Sequence, residues 1–330
     1  MVNEFGDLDN ITSDLKDLLL DLTSDSIFLH DQEGNFIYIN QAAYKTRGYT
    51  KDELMDLNLY DLNVPEFTEC IKSCINDLME KGEIIFESAH FRKDGSVMPV
   101  EIHSRIIEYE YQNLVLCSVR DISLRKKAEK ALSRELEVNS DLTKLSRKLL
   151  ESVPIEDISD MVLEYAQKFT QSKFGFVGYI DPETGYLISP TMTRNIWTEC
   201  HVKDKSVIFE KFGGMWGWVL NNKKSLLTNH PKDDSRATGT PSGHIDIETF
   251  LAVPALVDEN LVGIISLANS DKYDKQDLEV IERLSNLYAI AITRKHSDES
   301  IKKSEEKYRR IVEKFLKVSN EIIIEISKKE

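Results

Sequence analysis

Residues 121–151 read DISLRKKAEKALSRELEVNSDLTKLSRKLLE, and the spacing of their apolar residues decides how the rest of the chain divides. Leu124, Ala131, Val138 and Leu145 recur every seventh residue, and Ala128, Glu135, Leu142 and Leu149 each follow four residues later. Alternating four-three spacing puts these side chains on one helical stripe. The stripe is narrower than the face a helix buries in a globule, and it suits a second helix lying alongside. Glu135 is the one charged residue in the seam, and the flanking positions are mostly Lys, Arg, Glu, Ser and Asp. The spacing predicts a parallel dimeric stalk between two domains, with Leu124, Ala131, Val138 and Leu145 as relay positions. The alternative is that the stripe packs on the chain's own domains.

A chain of 330 residues has room for two domains and connectors. Lys plus Arg number 42 against 57 Asp plus Glu, a formal net charge of −15. That balance argues against nucleic acid and against an anionic membrane surface as partners. The longest apolar runs, 250–256 and 261–268, are separated by Asp258, Glu259 and Asn260. Neither reaches the roughly 20 residues that cross a bilayer. The opening MVNEFGDLDN is acidic and lacks the basic-then-apolar pattern of a signal peptide. A cytoplasmic protein is therefore expected, and four cysteines fit a reducing compartment. No CxxC or HExxH occurs, so no structural zinc site is expected.

Upstream of the seam, residues 12–22 predict an amphipathic helix carrying Leu15, Leu18, Leu19 and Leu22. Residues 27–30 and 36–39 predict strands joined by a turn that includes Gly34. Short helical turns follow, with Thr50 and Glu53 at capping-box spacing. A helix from Pro65 to Lys81 ends at Gly82, and three strands cover 83–92, 96–109 and 114–122. Consecutive hairpins imply an antiparallel sheet with the helices on one face.

These residues resemble a PAS domain: FIYIN at 36–40, Gly48 and Tyr49, Glu53 and Leu54, RKDG at 92–95, and the closing DIS at 121–123. The resemblance covers 12–123 and implies a pocket between sheet and helices, with Asp121 bonding near the base of the exit helix. Asp121 and Arg125 stand at i,i+4 spacing and can pair. They are read as relay residues, with an ordinary surface pair as the alternative. A haem-binding PAS domain would want a histidine on the 65–81 helix, and none is there. A photoactive flavin version would want Asn-Cys-Arg where Asn40-Gln-Ala stands. Cys70 and Cys74, one helical turn apart, read as small buried hydrophobes. His30, His90 and His103 lie on strands and read as solvent-side or satisfied core histidines. No ligand of this domain is legible.

Downstream of the seam, Ile158, Met161, Val162, Tyr165 and Phe169 mark an amphipathic helix. Strands are predicted at 174–180 and 186–192, a helix from about 212 to 224, and a short strand at 226–229. Residues 230–244 form a long loop, of a length usually functional or disordered. Strands at 250–257 and 261–268 and a helix from 275 to about 295 close the unit. This order resembles a GAF domain over 153–296, on FLAVP at 250–254, Val262 and Gly263, and YDKQD at 273–277. GMWG at 214–217 and GTPSGH at 239–244 look like a subclass found in archaeal and bacterial sensor kinases. Some methanogen members of that subclass hold haem through a cysteine thioether, with a histidine on the iron.

The resemblance implies haem as a cofactor of the GAF domain, with Cys200 as attachment residue and His244 as axial iron ligand. Trp197, Trp216 and Trp218 would supply flat apolar walls. Thiol addition to a vinyl group and imidazole ligation are chemically open to these residues. Each also has a plainer reading: Cys200 as an unmodified core thiol, His244 as a loop residue bonding backbone, the tryptophans as core. No CxxCH exists for two-thioether attachment. Cys200-His201 resembles a bilin-binding motif without its other residues. Asn269, Tyr273 and Asp277 partly match a cyclic-nucleotide signature from which Ser270 and Leu278 depart. A methionine-sulfoxide reductase would need clustered cysteines, and Cys200 stands alone.

The expected fold class is α+β: an antiparallel five-stranded PAS sheet and an antiparallel GAF sheet flanked by helices, joined by long helical coiled-coil linkers. The expected division is an N-terminal tail 1–11, a PAS domain 12–123, a coiled-coil linker 124–152, a GAF domain 153–296, and a linker helix 297–330. That last helix would enter a second PAS unit whose first strand begins near 318–325. The implied protein is the sensor region of a prokaryotic, methanogen-type histidine kinase, a homodimer through its linkers. Its kinase domain, absent from these residues, would address a response regulator. No phosphorylatable His-Glu pair and no glycine-rich ATP lid occurs, so no enzyme is expected. The competing reading is a ligand-free dimerisation scaffold.

Overall fold

The computed structural model describes residues 18–192, 199–202, 207–240 and 242–327. It falls into two compact units, Met1–Arg134 and Glu135–Glu330.

Among the described residues, the first unit holds strands β1 (Ser26–His30), β2 (Phe36–Ile39), β3 (Glu83–Phe91), β4 (Val97–Tyr109) and β5 (Gln112–Asp121). They form an open antiparallel sheet in the order β2-β1-β5-β4-β3. Helices α1 (Gln41–Lys45), α2 (Lys51–Met55) and α3 (Thr68–Lys81) lie between β2 and β3. Buried Phe28, Met98, Val100 and Val119 of the sheet pack with Ala43, Leu54 and Leu78 of the helices, so one sheet face carries the core. Asn40 fixes the entry to α1. Its side-chain oxygen accepts from Ala43 N at 3.1 Å and Ile27 N at 2.9 Å, and its amide donates to Leu20 O and Asp25 O at 3.0 Å each. Every polar atom of that buried side chain is thereby engaged. The capping box at α2 forms as its spacing predicts. The long helix begins at Thr68 rather than Pro65, because Pro65–Phe67 makes a separate 3-10 turn. It ends at Gly82, whose φ of 79° is the left-handed conformation that glycine adopts without steric cost.

The second unit is built on a six-stranded antiparallel sheet, order β8-β7-β6-β11-β10-β9. Its strands are β6 (Phe174–Ile180), β7 (Leu187–Met192), β8 (Ile208–Phe209), β9 (Leu226–Thr228), β10 (Phe250–Val257) and β11 (Asn260–Ala268). Strand residues alternate between two cores. Leu251, Val253 and Ala255 of β10 with Ile265 and Leu267 of β11 join one, and Phe250, Ala252 and Ile264 join the other. Both faces are covered, which is why these strands read as unbroken apolar runs. Helices α5 (Ile155–Thr170) and α7 (Lys275–Ser327) cover the first face, and α6 (Gly214–Asn222) covers the second.

The coiled-coil linker is not what the residues of the seam build. Helix α4 (Ser123–Leu149) exists, but Val138, Leu142, Leu145 and Leu149 are buried in the second unit's own core with Ile158, Leu284 and Tyr288. Glu135, the charged intruder, pairs with Arg283 of α7 at 2.9 Å. Asp141, 5% exposed, pairs with Lys168 of α5 and, at 3.1 Å, with Lys144. The upstream seam residues Leu124, Ala128 and Ala131 are exposed, Leu124 at 82%. The narrow stripe is thus one edge of a core completed by α5 and α7. Four-three spacing reports one buried stripe without naming its partner.

Residues 318–325, expected to enter a strand, continue α7 as helix to Ser327. A helix bonds its own backbone, whereas a strand needs a neighbour. No helix of the described residues is long and apolar enough to cross a membrane.

Candidate functional site

Two cavities hold the chemistry-bearing side chains. The larger, about 600 Å³, lies in the second unit on the α6 face of the sheet. Phe174, Phe176 and Phe250 floor it, Met215 and Trp216 of α6 wall it, and both Cys200 and His244 line it. Trp216 meets the rings of Phe209, Phe176 and Phe212 edge-on, with centroids 5.4, 6.3 and 6.2 Å away. Lys232 and Asp246, both exposed and paired at 2.9 Å, also border the cavity.

A backbone contact brings Cys200 and His244 to one cavity. His201 N donates to Gly243 O at 2.7 Å, so the two candidates flank a point where their segments touch. Gly243 permits the approach: its φ is +87°, and a Cβ there would lie 2.8 Å from His201 O. Asn269 holds the same loop from the sheet side, accepting from Glu248 N at 2.9 Å and donating to Asp246 O at 2.8 Å. Asn269 and the other residues of the partial nucleotide signature act structurally. Tyr273 hydroxyl bonds Ser172 at 2.7 Å, and Asp277 and Asp274 cap the start of α7 reciprocally.

Cys200 is buried and His244 is exposed. His244 Nδ1 lies 2.8 Å from Ile245 O. A carbonyl only accepts, so Nδ1 donates, and in the neutral ring Nε2 keeps a lone pair. That is the tautomer a metal-ligating histidine presents when its other nitrogen is held. Trp218 is not part of the cavity: it lies under the Arg236 guanidinium, 5.0 Å from ring centroid to carbon. Trp197 lies outside the described residues. Among the described residues no cluster of three His, Cys, Asp or Glu side chains could hold a bare metal ion.

The relay residues of the first unit pair differently from expectation. Arg125 bonds Glu101 at 3.1 Å and Glu87 at 2.6 Å, on β4 and β3, instead of Asp121. Asp121 pairs with Arg92 at 3.2 Å and accepts from Ser123 N at 2.8 Å, at the foot of α4. Cross-strand neighbours offered Arg125 carboxylates closer than the one a helical turn back. The remaining relay positions, Leu124, Ala131, Val138 and Leu145, do not share one environment.

The smaller cavity, about 200 Å³, lies in the first unit between α3 and the sheet. His30, Cys117, Ser104 and His90 line it among apolar side chains. His30 Nδ1 donates to Asp31 O at 2.6 Å, so Nε2 accepts from the Cys117 thiol at 3.5 Å, and Ser104 Oγ lies 3.0 Å from that sulfur. Burial pushes the Cys117 thiol up to about 11. His90 was expected to be solvent-side or satisfied. It is fully buried, and its Nε2 has no partner among the described residues.

Behind His90 stands Arg47, also fully buried. Its guanidinium donates to His90 Nδ1 at 2.9 Å, Ser26 Oγ at 2.9 Å and Ala43 O at 3.0 Å, and lies 4.8 Å from the Phe28 ring centroid. Burial pulls Arg47 down to about 9. Burial, then the Arg47 charge, holds His90 well below its ordinary 6.5. Sequence reasoning missed Arg47 because nothing in its local pattern, turn residues after a short helix, marks a buried cation.

One pH effect follows. His90 stays neutral in the fold while the unfolded chain protonates near 6.5, so its contribution to stability is complete above 6.5 and is lost as pH falls. Below 6.5 the loss is about 1.4 kcal/mol per pH unit until His90 itself titrates. His90→Gln should remove that part of the slope when denaturation midpoints are measured between neutral pH and the folded-state pKa.

Residues 152–293 match the family model described as GAF domain, and residues 24–124 match the model described as PAS domain. The chain is 25% identical over 288 residues to the methyl sulfide methyltransferase-associated sensor of Methanosarcina acetivorans. That alignment covers 86% of this chain and 29% of the relative, so the chain spans under a third of that protein's length. Among solved structures, it is similar to a PAS domain from Colwellia psychrerythraea, 28% identical, TM-score 0.31, covering 33% of this chain and 96% of that one. It is also similar to the GAF domain of a Coxiella burnetii phosphoenolpyruvate-protein phosphotransferase, 12% identical, TM-score 0.43, covering 50% and 98%. The chain thus matches a PAS domain model followed by a GAF domain model, and it is similar over most of its length to an archaeal protein named as a sensor.

Proposed function

We propose that these residues are the sensory region of a longer signalling protein, with haem as the resident group of the GAF cavity. The observation that carries the reading is one apolar cavity of about 600 Å³ lined by both a buried thiol and an imidazole. Its volume is in the range of cofactor sites, which are mostly apolar with a few polar groups. When bound, haem would supply an iron whose oxidation state and ligation change with redox conditions or diatomic gases.

The chain's own residues have separable tasks. The Cys200 thiol can add across a vinyl group, its sulfur bonding one carbon and its proton passing to the other, so no oxidant is consumed. His244, with Nδ1 held by Ile245 O, would offer Nε2 to the iron. Phe176, Phe250 and Trp216 would exclude water from the ring's faces, and Lys232 would be near enough to the rim to receive a propionate. The receiver of the signal would be a histidine kinase domain elsewhere in the longer protein, with a response regulator downstream.

The test is titration of the full chain with haem, followed by absorption. The expected result is a Soret band saturating at one haem per chain and shifted in His244→Ala. A spectrum equal to free haem, with no difference between wild type and His244→Ala, would leave the ligand-free scaffold as the better reading.

A further inference from the structure

The PAS cavity has an open end that the rest of the fold leaves unmet. Arg47 only donates, so His90 Nδ1 must accept from it, and Nε2 must carry the proton. His90 Nε2–H is therefore a buried donor with no acceptor among the described residues, on a side chain that lines the cavity. Buried donors are almost always paired, and leaving one open is costly. The Cys117 thiol is a poor alternative anchor, because it is already engaged between His30 and Ser104.

The guanidinium behind His90 also has no anion among its bonded partners. The bonded partners of the Arg47 guanidinium are hydroxyls, a carbonyl and an imidazole, none of them anionic. A buried cation with no directly bonded counter-ion is unfavourable, and an anion accepting from His90 would sit one imidazole away from it. A water could accept from Nε2 but would leave that charge as it is. The cavity's apolar lining includes Leu78 of α3, Ile84 and Phe86 of β3, and Val115 of β5, beside the polar Gln32, Asn63 and Ser104. At about 200 Å³ the space is below that of drug-sized sites.

We propose that the PAS cavity binds a short-chain monocarboxylate, its carboxylate accepting from His90 Nε2–H and its hydrocarbon tail lying against Leu78, Ile84, Phe86 and Val115. The Arg47–His90 pair is then a relay that offers the ligand a polarised N–H without placing the guanidinium itself in the cavity. This site is independent of the GAF reading.

Calorimetric titration of the full chain at neutral pH with butyrate, butyramide and acetate tests it. Butyrate should bind one to one, at least tenfold tighter than butyramide, which lacks the charge, and tighter than acetate, which lacks the tail. His90→Phe should abolish the heat, and His90→Gln, which keeps an N–H donor, should retain it. Butyrate should raise the melting temperature of the wild type and of His90→Gln, so a poorly folded His90→Phe does not decide the matter. Equal affinity for butyrate and butyramide, or undiminished binding by His90→Phe, would overturn the proposal. So would the absence of both heat and melting shift at millimolar butyrate.

Discussion

Leu145→Ala is expected to destabilise the second unit by about 2–5 kcal/mol, the range for removing a fully buried leucine and leaving a cavity. Leu145 is 0% exposed and packs in the cluster that includes Ile158, Leu284 and Tyr288. Leu124→Ala, at a seam position 82% exposed, should stay within about 0.5 kcal/mol. The contrast matters because both residues occupy equivalent places in the seven-residue repeat. Chemical denaturation followed through the second unit's tryptophans reads the difference. An uninterrupted two-helix seam would make the two substitutions comparable; a cost at Leu145 near that at Leu124 would contradict the packing described here. A domain's whole stability is about 5–15 kcal/mol, so the expected loss at Leu145 is a large share of it.

Gly243→Ala is expected to open the GAF cavity. Two effects add at that position. A φ of +87° strains any residue with a Cβ, at about 1–3 kcal/mol. The Cβ would also meet the His201 carbonyl, 2.8 Å from its oxygen and 2.9 Å from its carbon, and backbone cannot swing aside as a side chain would. Relief requires separating residue 243 from residue 201, which breaks their 2.7 Å hydrogen bond and parts the segments carrying Cys200 and His244. Gly239→Ala is the control, with a φ of +83° and nothing within 4 Å of the added carbon. It shares the strain without the collision. Modification of Cys200 by a thiol reagent, read by peptide mass, should accelerate in Gly243→Ala and stay at the wild-type rate in Gly239→Ala. Equal rates in both variants would show that the contact does not close the cavity.

The sheets were legible because strand signals are local. The hairpins at Gly34 and at 93–95, the stop at Gly82 and the apolar runs of β10 and β11 each announce themselves within a few residues. What periodicity could not supply was the identity of a partner. The stripe through Val138 and Leu145 reads the same whether it faces a second chain or helices α5 and α7. Glu135 was the clue, since its partner Arg283 lies 148 residues on, a separation that no helix-local rule bridges. The same limit misplaced Arg125, whose carboxylates come from neighbouring strands. Cys200 and His244 could be suspected from resemblance, but their meeting depends on one backbone contact between distant segments. Trp218 carried no sign that it would lie under Arg236 rather than in the cavity. Arg47 and His90 left the least trace: 43 residues apart, each ordinary in its own stretch, they acquire meaning only when burial removes the water that would have satisfied them.

The reading of the GAF cavity as a haem site is tested most directly by intact mass. The full chain is incubated with reduced haem, repurified and measured under denaturing conditions. The account predicts the chain mass plus one haem for the wild type and for His244→Ala, and the bare chain mass for Cys200→Ser. A bare chain mass for the wild type, with no Soret absorbance left after repurification, would contradict it.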